Sequence, residues 1–207
     1  MTETPRRDQS PLYPWREVLE HSSHLRLALD RDKADRRFPD SAHEAGWLGY
    51  TGAPEAQIAA LESRLGTALP PSYRQFLATT DGWMHVNDTA GPLAPTAQVG
   101  WLKDIDPEFT KVWAQDTAQD LPTVPDEEYF VYGDEQDCVN VRREHFHTAL
   151  RISDWGDSAL LMLNPAVVTD HGEWEAWAYA SWYPGVFRYR SFWEFMNQLL
   201  LEDNPDS

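Results

Sequence analysis

Residues 52–83 read GAPEAQIAALESRLGTALPPSYRQFLATTDGW and carry the clearest structural signals of the chain. Apolar residues recur in it at helical spacing on two separate faces: Ile58, Leu61 and Leu65, then Tyr73, Phe76 and Leu77. Gly66 supplies the left-handed backbone at which helices commonly end, and Pro70-Pro71 turns the chain into a new helix. Asp81-Gly82 ends that second helix. Because these signals agree with the periodicity, the stretch predicts two helices joined by a tight corner.

Short strands follow this helix pair. The candidates are Val99–Leu102, Tyr129–Tyr132, Leu150–Ser153, Ala159–Leu163 and Trp174–Ser181. A helix around Pro107–Thr117 interrupts them, and a last helix begins at the capping box of Ser191 and Glu194. Strands joined by short turns pair antiparallel. The sequence therefore predicts an α+β fold, an antiparallel sheet with helices packed mainly on one face.

The chain before this domain divides into two parts. Residues 1–14 carry three prolines and predict a flexible arm. Residues 15–45 begin with a helix that starts at Trp15, and the charged, aperiodic segment Asp30–Glu44 is interpreted as a linker or mobile loop. The main domain is expected over residues 46–207.

The charge of the chain is strongly acidic and unevenly distributed. Seventeen basic and thirty-four acidic residues give a net charge of −17 over 207 residues. Such a charge repels nucleic acid and anionic membranes and steers basic partners toward the protein. No apolar run is long enough to span a bilayer or resembles a secretory signal, so a cytoplasmic location is expected. Cys138 is the only cysteine, which excludes an intrachain disulfide; we expect it in a half-buried strand.

Most of the acidity lies in one part of the chain. Residues 101–207 hold twenty-one acids and seven bases, and Asp116–Asp137 contains eight acids and no base. The aromatic run Tyr129–Tyr132 inside this block predicts a folded acidic edge rather than a disordered tail. Its candidate partner-binding residues are Asp126, Glu127, Glu128, Asp134, Glu135 and Asp137. Trp83 and Trp155 are the aromatic candidates for the same partner-binding surface, because they lie beside turns, as Trp182 also does. Burial of these tryptophans in the core is the alternative.

The chain resembles the SUKH superfamily, which contains bacterial immunity proteins and the Smi/Knr-type fungal regulators of cell-wall synthesis. The resemblance begins with Ile58, Leu61-Glu62, Leu65-Gly66, Leu69-Pro70, Tyr73, Phe76-Leu77 and Asp81-Gly82. It continues with Ile152-Ser153-Asp154, Gly156-Asp157, Leu160–Leu163 and Ser191-Phe192 in the family's order. It covers residues 46–202.

This resemblance implies a binding function without catalysis. Many bacterial members neutralise a toxin, frequently a nuclease, by covering its active site. The leading hypothesis is therefore an immunity protein for a basic toxin domain, and the alternative is a regulatory scaffold or housekeeping interaction module of the same fold. The resemblance supplies no partner identity, and the oligomeric state stays open.

A catalytic or metal-dependent function finds little support in the sequence. Common nucleophile, phosphate-loop, zinc-protease and dinucleotide motifs are absent. His145 and His147 would share one side of a strand, but no third ligand is identifiable, and Asp134, Glu135 and Asp137 lack the glycine and distal glutamate of a calcium loop. A metal-dependent hydrolase using these residues ranks below the binding hypotheses. We predict no catalytic residue, metal or cofactor.

Overall fold

A five-stranded antiparallel sheet forms the centre of the computed structural model, which describes residues 11–31, 33, 36–114 and 124–202. Its strands are β1 Gly100–Trp101, β2 Leu150–Arg151, β3 Ala159–Val168, β4 Trp174–Ala180 and β5 Val186–Tyr189. They lie side by side in chain order, so each strand pairs with the next one in the sequence. The antiparallel sheet predicted from the sequence is confirmed. β5 was not predicted, and the expected strand Val99–Leu102 is shorter because a helix begins at Leu102.

Both faces of the sheet are buried, as β3 shows by its alternating side chains. Leu161 and Leu163 belong to one apolar cluster, whereas Leu160 and Met162 belong to another on the opposite face. The pairing of β3 with β4 shifts register between Asn164 and Val168. Pro165 lies within that interval and has no backbone N–H to donate, which is typical of such an irregularity.

The helices form two unequal layers. They are α1 Trp15–Arg31, α2 Asp40–Ala45, α3 Glu55–Leu65, α4 Pro71–Thr79, α5 Leu102–Ile105, α6 Pro107–Ala114, α7 Asp126–Tyr129 and α8 Phe192–Glu202. The longer helices α1, α3, α4 and α8 bury their apolar side chains in the first cluster, against one face of the sheet. Shorter elements between residues 102 and 149 cover the other face. The α+β fold with most helical packing on one face is thereby confirmed.

The helix pair predicted from residues 52–83 is present with its expected ends. α3 ends at Gly66, whose φ of 73° is the left-handed conformation of a helix terminus. The backbone of Gly52 approaches α4 closely, because a Cβ added there would lie 2.1 Å from the carbonyl oxygen of Ala78. In α8 the backbone N–H of Glu194 donates to the Ser191 hydroxyl at 3.0 Å, as the capping box predicts.

In its described residues, the segment before residue 46 packs on the domain, with Trp15, Leu19 and Leu27 in the first apolar cluster. Asp30 is buried and accepts hydrogen bonds from the backbone N–H groups of Arg37 at 2.8 Å and Phe38 at 3.2 Å. Its carboxylate also lies 2.9 Å from the His43 ring. The described part of Asp30–Glu44, which the sequence suggests as a linker or mobile loop, is thus held by hydrogen bonds to Asp30 and contains the short helix α2. Residues 32, 34 and 35 lie outside the described residues.

Residues 11–14, assigned to a flexible arm, also make ordered contacts. The Tyr13 backbone N–H donates to Gln75 at 3.0 Å, and its hydroxyl donates to Glu173 at 2.8 Å. Glu173 also accepts from the backbone N–H and hydroxyl of Ser72, at 2.8 and 2.5 Å. Pro70, the residue before α4, has no side chain that could accept a hydrogen bond from the first N–H groups of the helix. The Glu173 carboxylate, which is distant in sequence, takes this role for the Ser72 N–H. Residues 1–10 of the predicted arm lie outside the described residues.

His85 makes stability pH-dependent. Burial, and to a lesser degree Arg26 and Arg37, lowers its pKa from 6.5 to about 4, although Asp88 opposes this. The unfolded chain binds this proton first as the pH falls, so the contribution of His85 to stability is constant above about pH 6.5 and decreases toward pH 4. We expect a loss of about 2 kcal/mol from this group, measured as the free energy of unfolding by urea at pH 7 and pH 4.5.

The matched control for this prediction is a histidine on the exposed side of α1. His85→Gln should reduce the difference between the two pH values, whereas His24→Gln, at an exposed position, should leave it unchanged. Equal pH dependence in the two variants would contradict the assignment to His85.

Candidate protein-binding site

The predicted acidic edge is a loop, which we define as residues 124–139 and call the acidic loop. It contains α7 and a 3₁₀ turn at Gly133–Glu135. The strand expected at Tyr129–Tyr132 is wrong, because Tyr129 is the last residue of α7. Pro125 precedes this helix and three acids occupy its first turn, where the helix dipole favours negative charge. Asp116 and Asp120 of the acidic block lie outside the described residues.

All six predicted acidic contact residues are exposed on this loop. They are Asp126, Glu127, Glu128, Asp134, Glu135 and Asp137. Asp126 forms an ion pair with the largely buried Arg142, whose guanidinium also donates to the Val124 carbonyl at 3.0 Å. Arg142 thus holds the start of the loop, and the loop presents a carboxylate-rich surface to solvent.

The far end of the loop covers the edge of β5. The Val186 backbone N–H donates to the Cys138 carbonyl at 3.0 Å. The Gln136 side-chain amide pairs with both backbone groups of Arg188. It accepts a hydrogen bond from the Arg188 N–H at 2.8 Å and donates one to the Arg188 carbonyl at 3.1 Å. An open edge strand would expose these groups for pairing with another chain. Cys138 lies in the loop rather than in a strand, and burial raises the pKa of its thiol.

A buried carboxylate fixes the middle of the loop to the sheet. Glu175 of β4 is fully buried and accepts hydrogen bonds from the hydroxyls of Tyr129 at 2.5 Å and Tyr132 at 2.8 Å. It also accepts from Asn164 at 3.0 Å and from the Trp177 indole at 2.7 Å. Burial and the nearby Glu175 charge raise the pKa values of both tyrosines, which therefore remain hydrogen-bond donors.

A buried cation complements this carboxylate. Arg188 of β5 is fully buried, and its guanidinium donates to the carbonyl oxygens of Tyr129 and Val131. The same guanidinium lies 4.5 Å from the centre of the Tyr129 ring and 5.5 Å from that of Tyr132. The two tyrosines therefore lie between buried charges of opposite sign. This arrangement holds the loop backbone in one position.

Gly185 allows the loop to approach β5. A Cβ at this residue would lie 1.8 Å from the carbonyl oxygen of Cys138. We expect Gly185→Ala to displace the acidic loop and to lower the free energy of unfolding by about 2 kcal/mol. The Val186 amide, which donates to that carbonyl, should lose protection from hydrogen exchange. Pro184→Ala, at the exposed neighbouring position, is the control, and unchanged protection in Gly185→Ala would contradict the prediction.

The tryptophans predicted as exposed anchors divide between core and surface. Trp83 is fully buried, so its expected exposure is wrong; its backbone pairs with Leu93 in both directions, at 3.1 and 2.9 Å, and its ring packs against Trp47. Trp155 is 38% exposed, and its indole N–H lies 3.3 Å from Asp106. The structure places Trp83 in the core, away from any surface that a partner could reach.

Exposed apolar residues lie at the end of the acidic loop and beside it. Trp182, Tyr183 and Val139 are 50%, 38% and 46% exposed. The turn that carries Trp182 and Tyr183 leads into Gly185, which the loop backbone at Cys138 and Val139 approaches closely. Sequence reasoning identified Trp182 but missed Tyr183 and Val139, since only the pairing of the loop with β5 brings them together.

The proposed metal ligands do not form a metal site. His145 and His147 lie in a 3₁₀ helix rather than a strand, and the His145 ring contacts the Asn164 amide at 3.0 Å. Burial lowers the pKa of His145. Within the described ranges, no group of three or more histidine, cysteine or carboxylate residues could hold a metal ion. In the same part of the chain, no helix has the length and apolar character needed to cross a bilayer.

Together the sheet, its two helical layers and the anchored acidic loop define an α+β domain that displays a charged surface. The chain belongs to the SMI1/KNR4 family (SUKH-1), whose family model matches residues 52–198. This match confirms the resemblance found in the sequence. A comparison with curated proteins found no match.

Proposed function

We propose that the protein is an immunity protein that binds a basic toxin domain, such as a nuclease, through the acidic loop and covers the toxin's active site. Membership of the SUKH-1 family supports a role in protein–protein interaction. The observation that carries the proposal is the anchoring of the loop: Glu175, Arg188 and Gln136 fix a segment whose carboxylates all face solvent. A surface fixed before binding loses little conformational freedom on association.

The charge of the loop indicates how such a complex would form. Exposed carboxylates accelerate encounter with a basic partner, whereas a few desolvated side chains near the centre of the interface determine its lifetime. Trp182 and Tyr183 are suited to the second role because they are exposed aromatic residues next to the acidic loop. If the partner is a nuclease, carboxylates of the acidic loop would lie where substrate phosphates bind. No covalent step is needed for inhibition by occlusion.

Co-expression with the product of a neighbouring toxin gene tests the proposal. The protein should co-purify with that product in a defined ratio and restore growth of cells that express it. A complex that forms without protection, or a neighbouring toxin that does not bind, would contradict the immunity function. A gene with no toxin or secretion gene nearby would instead favour the alternative, a regulatory interaction module of the same family.

A further inference from the structure

A cavity of about 370 Å³ lies between the acidic loop, β5 and α8. Asp134 and Gln136 of the loop line one side, and Phe187 of β5 and Tyr183 of the preceding turn line another. Its volume falls within the roughly 300–1,000 Å³ that is typical of ligand sites. The cavity adjoins the exposed surface of Trp182 and Tyr183.

Small side chains in the sheet leave this space open. Ala159, Ala178 and Ala180 all line the cavity, at positions in β3 and β4 where bulky residues are common in strands. Ala178 pairs directly with Phe187 of β5, so a larger side chain at position 178 would extend along the same face toward the cavity. The cavity therefore exists because alanines occupy these three strand positions.

The lining is suited to a cation with an apolar stem. The Tyr183 and Phe187 rings are perpendicular, with centres 4.8 Å apart, so that ring faces and edges are both presented. A guanidinium binds favourably over aromatic faces, and a carboxylate such as that of Asp134 adds a charge-assisted hydrogen bond. The Gln136 side chain is held in place by its hydrogen bonds to the backbone of Arg188, so this part of the cavity lining is fixed. The net charge of −17 favours a positively charged occupant over an anion.

We propose that this cavity receives an arginine side chain of the basic partner. The identity of the occupant as part of a protein rests on the proposed function, whereas its chemistry rests on the cavity itself. The arginine stem packs on Phe187, its guanidinium lies against the Tyr183 ring, and Asp134 accepts a hydrogen bond from it. The acidic loop thereby contributes one carboxylate to a pocket as well as its charge to the surrounding surface.

The first test uses the full-length protein and Nα-acetylarginine amide, followed by amide chemical shifts in solution. The shifts should concentrate at residues 133–136 and 178–189. The affinity of the protein for this probe, which is expected to be weak, should fall about tenfold in Asp134→Asn. Ala178→Phe, which fills the cavity, should abolish the shifts. Glu44→Gln, an exposed acid on α2, should leave them unchanged. Equal shifts with Nα-acetylglutamate amide, or shifts elsewhere in the protein, would overturn the proposal.

The second test separates this inference from the immunity function. If a toxin partner is identified, Asp134→Asn and Tyr183→Ala should each weaken its binding about tenfold or more. A partner that binds both variants as well as wild type would leave the proposed function intact and overturn the arginine site. Specific binding of the arginine probe without any toxin partner would support the site and count against the immunity function.

Discussion

Glu175→Ala will lower the free energy of unfolding by about 3–5 kcal/mol, because it leaves several donors inside the protein without their acceptor. Glu175 accepts four hydrogen bonds, from Tyr129, Tyr132, Asn164 and Trp177. Its removal leaves these buried and half-buried donors without their acceptor. Since whole domains are stable by only about 5–15 kcal/mol, the variant should be close to unfolding at ordinary temperatures.

Urea unfolding of matched variants measures this effect. Glu175→Gln keeps an acceptor oxygen but loses the charge, so its loss of stability should be intermediate. Glu17→Ala, at an exposed position in α1, should change stability by less than about 0.5 kcal/mol. In Glu175→Ala, amide exchange should rise first in the acidic loop, because both tyrosines that anchor it lose their partner. A loss below about 1 kcal/mol with unchanged loop exchange would contradict the anchoring role.

The elements that were predicted correctly from the sequence carry their signals locally. α3, α4 and α8 each combine helical periodicity with a start or stop residue, and their ends agree with the structure. The acidic loop has no such local signal. Tyr129 and Tyr132 suit a strand by residue type, but their hydroxyls are needed by Glu175, which lies more than forty positions further along the chain. Tertiary hydrogen bonding outweighs local preference there.

Burial of Trp83 depends on the same kind of long-range contact. The adjacent Asp81-Gly82 turn indicates exposure, yet Trp83 pairs with Leu93 and packs against Trp47, which comes from the segment before the helix pair. Position next to a turn does not reveal which parts of the chain cover a side chain. A carboxylate, in contrast, is costly to bury unless several donors satisfy it, as they do at Asp30, Glu173 and Glu175, so most acids lie at the surface. The six acids were therefore placed correctly at the surface, although the predicted strand that carries them is a loop.

Charge reversal in the acidic loop is expected to have the largest effect on partner binding. Four carboxylates of the loop are replaced by lysine, at Glu127, Glu128, Glu135 and Asp137. If a basic partner binds at the acidic loop, the four lysines repel it where the carboxylates attracted it. The rate of association with that partner should then fall by about 10- to 1,000-fold at low salt. The difference from wild type should shrink as salt is added, because exposed charges are screened over about 8–10 Å at physiological ionic strength.

The control must change the net charge equally at another surface. Glu17, Glu20, Asp40 and Glu44 are exposed on α1 and α2, so their replacement by lysine alters the total charge by the same amount. The ion pairs of Glu20 and Asp40 that are lost are exposed and contribute little stability. Rates measured by stopped flow should then separate a local effect of the acidic loop from a general effect of net charge. If the two variants slow association equally, net charge alone governs the encounter, and the acidic loop is not the contact surface.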